Sequence, residues 1–166
     1  MASFFAWLES TRVALAVRDT LLLNAGLSGV HLIGFALTTG GALVANLNLL
    51  GVLFPGRPPI EVTRPASRGI ALGLLISGAT GVFLFAPRAT AASVNGIFQL
   101  KMALLVTAVL FHVFVHRRVA RATRHVHLSG PSAVAWSQTT QRATAIVGLL
   151  LWTGLALSGC AFILLE

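Results

Sequence analysis

The chain has 166 residues, 56% of them apolar and 10% charged, with a formal net charge of +8 and a mean hydropathy of +0.87. So few charges among so many apolar residues exclude an ordinary soluble domain and describe an integral membrane protein. A single cysteine, Cys160, excludes an internal disulfide, and the positive charge sits on arginines flanking apolar runs, where anionic headgroups are nearer counter-ions than any nucleic acid.

Residues 2–19 open with Phe4, Phe5, Trp7 and Leu8 and then carry Glu9, Arg12, Arg18 and Asp19. The aromatic start predicts a helix lying in the membrane interface, with Glu9 and Arg12 spaced to pair or, as the plainer reading, standing as two solvated charges on it. A secretory signal would place positive charge first, but Glu9 precedes the first Arg, so this N-terminus is expected to be retained. From Thr20 to Pro55 no residue carries a formal charge, which predicts a first span over 24–54. Its only ionisable side chain is His31, set among Asn24, Ser28, Thr38, Thr39, Asn46, Asn48 and several glycines. Polar groups at membrane depth turn inward, so what His31 faces is the functional question.

The second uncharged run lies between Arg68 and Arg88 and predicts a span over 69–87. Gly69, Gly73, Ser77 and Gly81 recur every four positions, one ridge on which another helix can pack closely. Arg57, Pro58, Pro59, Pro65 and Arg68 before it read as a short basic loop. A third span over 94–116 is interrupted only by Lys101, and His116, Arg117, Arg118, Arg121 and Arg124 continue it as a basic helical face. His125 and His127 fall in or near a solvated loop, and Gly130 with Pro131 ends the helix. The last span covers 143–165. The expected architecture is all-α: a single-domain, up-down integral membrane four-helix bundle over 1–166, with an N-terminal interfacial helix. Arginines concentrate in the links around 55–68 and 116–142, whereas the link between the second and third spans has only Arg88. Both termini are therefore expected on the periplasmic side of a bacterial inner membrane.

Signatures of soluble catalysis are missing: there is no phosphate loop, no H-E-x-x-H, no C-x-x-C, and no carboxylate inside a span. No enzymatic activity is expected. The intramembrane groups left are His31, Lys101, Met102, His112 and His116. Counting from Asn24 and Asn95 as outer entry points puts His31 and Met102 roughly 10 Å deep on the first and third helices, diagonal neighbours in such a bundle. A b-type haem between His31 and Met102 fits that placement, with His31 and Lys101 as the variant pair. The plainer alternative is a histidine hydrogen-bonded across the bundle, a methionine that fills space and a lysine that snorkels. His112 and His116 stand four apart on one face near the inner surface, a spacing that suits a metal and equally suits interfacial histidines beside arginines.

Trp7, Glu9, Ser10 and Arg18, then His31, Gly34 and Gly40, then Leu47, Leu49, Leu50 and Gly51, then Asn95, Phe98 and Lys101 form a scattered pattern. It resembles a bacterial four-helix membrane family of unassigned function, similar in outline to copper-resistance D-type and b-type cytochrome membrane domains. Such families carry an acidic and a basic residue where this chain has Asn46 and Asn48. The resemblance implies a redox or metal setting for His31. The expected role is a small non-catalytic subunit of a bacterial respiratory or photosynthetic electron-transfer complex, packed against other membrane subunits and lipid and carrying haem at His31. The alternative is a free-standing cytochrome-like carrier or copper-handling protein; a transporter would want broken helices in both halves.

Overall fold

The computed structural model describes residues 2–129 and 137–164, with side chains described over 3–122 and 137–161. Local polar chemistry sets where its helices begin and end. At the N-terminus the Ser10 and Thr11 hydroxyls donate to the carbonyls of Trp7 and Leu8, at 2.7 and 2.8 Å. Thr11 is extended, and its oxygen accepts from the Ala14 N–H. These bonds close one helix and cap the next, so the expected single helix over 2–19 is two: α1 (Ala2–Glu9) and α2 (Arg12–Asp19).

The first span is α3 (Leu21–Leu49), shorter at its end than the apolar pattern suggests. Gly51, Phe54 and Gly56 all have positive φ, at +80°, 51° and +86°, and the Asn48 side chain donates to the Leu53 carbonyl at 3.1 Å. Residues 50–54 are thus an apolar turn. The second span, α4 (Pro59–Phe85), begins well before Gly69, because Pro59 occupies the first helical turn, where its missing N–H costs nothing, and Glu61 complements the helix dipole there. Most of the supposed basic loop is therefore helix, with Arg64 and Arg68 on its exposed side. A short 3-10 turn (Ala86–Arg88) and α5 (Ala89–Val94) lead to α6 (Gly96–Ser129), and α7 (Gln138–Leu164) completes the chain. His125 and His127 lie on the continuation of α6 rather than in a loop; their side chains, the Gly130–Pro131 break and Leu165 lie outside the described residues.

Among the described residues four helices are long and apolar enough to cross a membrane, and the fold is all-α. α3 packs along α4, α6 along α7, α7 returns onto α3 and α4 touches α6, closing a ring in which α3 and α6 are diagonal. The α3–α4 contact is a backbone contact. A methyl placed on Gly34 would lie 2.7 Å from the Ser77 nitrogen and 2.9 Å from the Gly73 carbonyl oxygen, and one on Gly73 would run into Thr38 and the Gly34 carbonyl. Gly81 lies against the His31 ring, while Gly69 meets nothing, so the small-residue ridge works through its last three members. Ala42, Ile70, Ala108, Trp152 and Leu155 fill the middle of the bundle, and Leu49, Val115, Val119 and Ala145 fill one end.

That end also holds the α3–α4 turn and the start of α7, tied by a bond from the Gln141 amide to the Leu49 carbonyl at 3.1 Å. At the opposite end α1 lies over the 86–95 link. The Glu9 carboxylate accepts from the Thr90 N–H at 2.7 Å, Phe5 meets Phe85 edge-on, and Phe85 stacks on Phe98. Glu9 thus caps α5 rather than pairing with Arg12. Arg18 pairs with its neighbour Asp19 in the open, which contributes little.

The glycine contacts separate two substitutions of the same kind. Gly73→Ala should lower stability in mild detergent by about 1–3 kcal/mol, the usual cost of overpacking. Gly78→Ala, where an added methyl meets nothing, should be neutral or raise it by up to about 1 kcal/mol. Thermal unfolding of the two variants side by side checks this.

Candidate functional site

Two histidine stations sit at different levels of α4. At the first, His31 Nδ1 lies 3.1 Å from the Thr80 hydroxyl. The Thr80 proton is committed to the Ile76 carbonyl, 2.7 Å away, so its oxygen is left to accept. This favours the His31 tautomer with its proton on Nδ1 and its lone pair on Nε2. Gly81 makes this arrangement fit, since a methyl there would press on the ring at 3.3 Å. Lys101 of α6 lies within electrostatic reach of His31, its stem passing over Gly159 of α7.

Thirteen positions away on α4, roughly 20 Å along the helix, Ser67 forms the second station. Its hydroxyl donates to the Thr63 carbonyl at 2.7 Å and stands 3.0 Å from His112 Nε2 and 3.2 Å from His116 Nδ1. With its one proton used, the Ser67 oxygen accepts from both rings, which leaves lone pairs on His112 Nδ1 and His116 Nε2. The two rings are nearly parallel with centroids 6.5 Å apart, and Trp152 meets His112 edge-on. Beside them Asn46, Thr63 and His112 line a small space with room for about one water molecule, about 10 Å³ for its centre. The Thr63 hydroxyl, on a residue 1% exposed, has no protein partner and borders that space, as a water-bridged group would.

The sequence-derived candidates are thus distributed over both stations and the surface. His31 and Lys101 come near each other; Met102 is 40% exposed, on a different side of α6 from Lys101. His112 and His116 share one hydroxyl, and among the described residues no group of three or more His, Cys, Asp or Glu side chains gathers as a metal cluster would. Cys160 is exposed on α7. The partners Ser67, Thr80 and Thr63 escape a reading of the sequence, since each is an ordinary hydroxyl on a helix and the two histidine bonds of Ser67 span 45 and 49 positions. Asn46 and Asn48 prove to be structural: the Asn46 amide donates to the Ala42 carbonyl at 2.7 Å while its other atoms fill the notch at Gly148, and Asn48 holds the turn after α3.

A four-span helical bundle with polar stations inside it defines a multi-pass membrane protein in a lipid bilayer. The chain belongs to the family of unknown function DUF6644, whose model matches residues 4–163. No curated protein and no solved structure matches it.

Removing the hub of the second station should be costly. Ser67→Ala strands two imidazole N–H groups and should lower stability by about 1–3 kcal/mol. Thr107→Ala, at an exposed hydroxyl bonded to its own helix at 2.8 Å, should stay within about 0.5 kcal/mol of the parent. Denaturation of both in the same detergent provides the comparison.

Proposed function

We propose that this chain is a small, non-catalytic membrane subunit of a bacterial electron-transfer assembly that holds one b-type haem through His31. The observation that carries this reading is the setting of the imidazole: Nδ1 lies 3.1 Å from the Thr80 hydroxyl, whose own proton is directed to Ile76, and this arrangement favours the tautomer that keeps the lone pair on Nε2 for coordination. A ligating histidine is held in this way wherever its other nitrogen is fixed by a second group, and an imidazole is an ordinary axial ligand of haem iron. The haem would supply one-electron chemistry; the protein supplies the ligand and an apolar surrounding that sets the potential. Lys101, with its stem on Gly159, is the residue placed to serve as the second ligand in its neutral form, ahead of the outward Met102.

The outline similarity to b-type cytochrome membrane domains supports the same reading. So do the broad apolar outer faces of the four helices, where a third or less of each most apolar stretch is buried; they are covered by lipid and neighbouring subunits. The exposed Arg64, Arg68, Arg117, Arg118 and Arg121 gather toward the end opposite α1, which supports placing both termini on the periplasmic face.

A dithionite-reduced minus oxidised spectrum of the purified protein, with a haemochrome assay, tests the proposal. About one haem per chain is expected in the parent, none in His31→Ala, and the full complement in His112→Ala. Thr80→Val should weaken retention by about 10–100-fold, the usual effect of losing the group that orients a ligand. A folded parent protein without haem would overturn the reading.

A further inference from the structure

A groove of about 340 Å³ runs between α3 and α4 toward the α3–α4 turn, far from His31 along α3 and lined by residues that the histidine stations do not use. Its floor is Gly40, Gly41 and Val44 from α3 and Val62, Pro65 and Ala66 from α4; its mouth carries Phe54, Arg57 and Glu61. Gly40 precedes the end of α3 by nine positions, so the groove reaches roughly 14 Å inward, about the depth of one leaflet of a hydrocarbon core about 30 Å thick. The floor suits an extended hydrocarbon chain. The two glycines differ: a methyl on Gly41 would meet the Ala66 carbonyl at 3.0 Å, whereas one on Gly40 meets nothing, so Gly40 keeps the groove open without serving the helix contact.

The mouth is polar in a specific way. Arg57 rests on the Phe54 ring at 5.6 Å, and Phe54, the one non-glycine residue with positive φ among those described, is held there by an unusual backbone. Glu61 lines the same mouth, and among the described residues neither Arg57 nor Glu61 is in an ion pair. Both are exposed, and a cation and an anion that border one groove match a ligand carrying both signs.

We propose that this groove binds one zwitterionic phospholipid with a primary ammonium head, an acyl chain lying over Gly40, the phosphate on Arg57 and the ammonium on Glu61. The primary amine matters because it can donate hydrogen bonds to the Glu61 carboxylate, which a quaternary ammonium cannot. An anionic head would gain from Arg57 and be repelled by Glu61.

The test is native mass spectrometry of the full chain in mild detergent, delipidated and then titrated with phosphatidylethanolamine, phosphatidylglycerol or phosphatidylcholine of the same acyl chains. One phosphatidylethanolamine per chain should be retained about tenfold better than either competitor, the discrimination of a single good charged contact. Gly40→Leu should abolish that retention with the melting temperature unchanged. Glu61→Gln should erase the preference over phosphatidylglycerol, and Arg57→Gln should weaken both. Equal retention of all three headgroups by the parent, unchanged retention in Gly40→Leu, or an extracted isoprenoid quinone in place of the phospholipid would each overturn the proposal. The two mouth variants lie on the surface and keep the headgroup assignment testable should Gly40→Leu disturb the helices.

Discussion

The bundle depends on the close approach of α3 and α4 through Gly34, Thr38 and Gly73. Water drives apolar faces together in a soluble protein, but lipid tails are as apolar as leucine, so two helices in a bilayer gain by packing and by interhelical bonds. Missing side chains on both sides let the backbones meet, and that approach brings Thr80 within reach of His31. If the helices stood further apart, the imidazole would have to find another partner or face lipid. The histidine geometry is in this sense a product of the glycines rather than of the histidine.

The hydroxyls of α4 then divide the bundle into two polar levels. Thr80 and Ser67 each send their proton back to their own helix, to Ile76 and Thr63, and this back-bonding turns each oxygen into an acceptor facing a neighbouring helix. One hydroxyl orients one ring at the first level; at the second a single hydroxyl orients two. Among the described residues neither level contains a carboxylate, so the imidazoles are held by neutral hydroxyls, and the charge-bearing side chain near them is Lys101 at the first level.

The four spans, their up-down order and the packing role of Gly73, Ser77 and Gly81 were legible in the sequence, because charge-free length and four-residue spacing are direct consequences of bilayer thickness and helix pitch. Span boundaries were less so. Leu50 to Phe54 are as apolar as the helix before them, and only backbone dihedrals at Gly51, Phe54 and Gly56 reveal the turn. Pro59 reads equally as loop or as helix start, and neighbouring Pro58 tilts the pattern toward loop. For the candidate site, the sequence shows His31, His112 and His116 but not what they bond, since a partner on another helix leaves no local trace. The partner of Glu9 is hidden for the same reason: its spacing from Arg12 suggests either a pair or two solvated charges, and the Thr90 backbone it meets lies 81 positions away.

That Glu9 contact links residues 81 positions apart and has a bearing on how the protein is made. Because α1 precedes α3 and α4 in the chain, the Glu9 contact closes only after both of those helices and the 86–95 link have been made. The aromatic side chains of α1, Phe4, Phe5 and Trp7, are of the kind that suits a membrane–water interface. This end of the bundle is thereby closed late, by a segment made before the helices it joins.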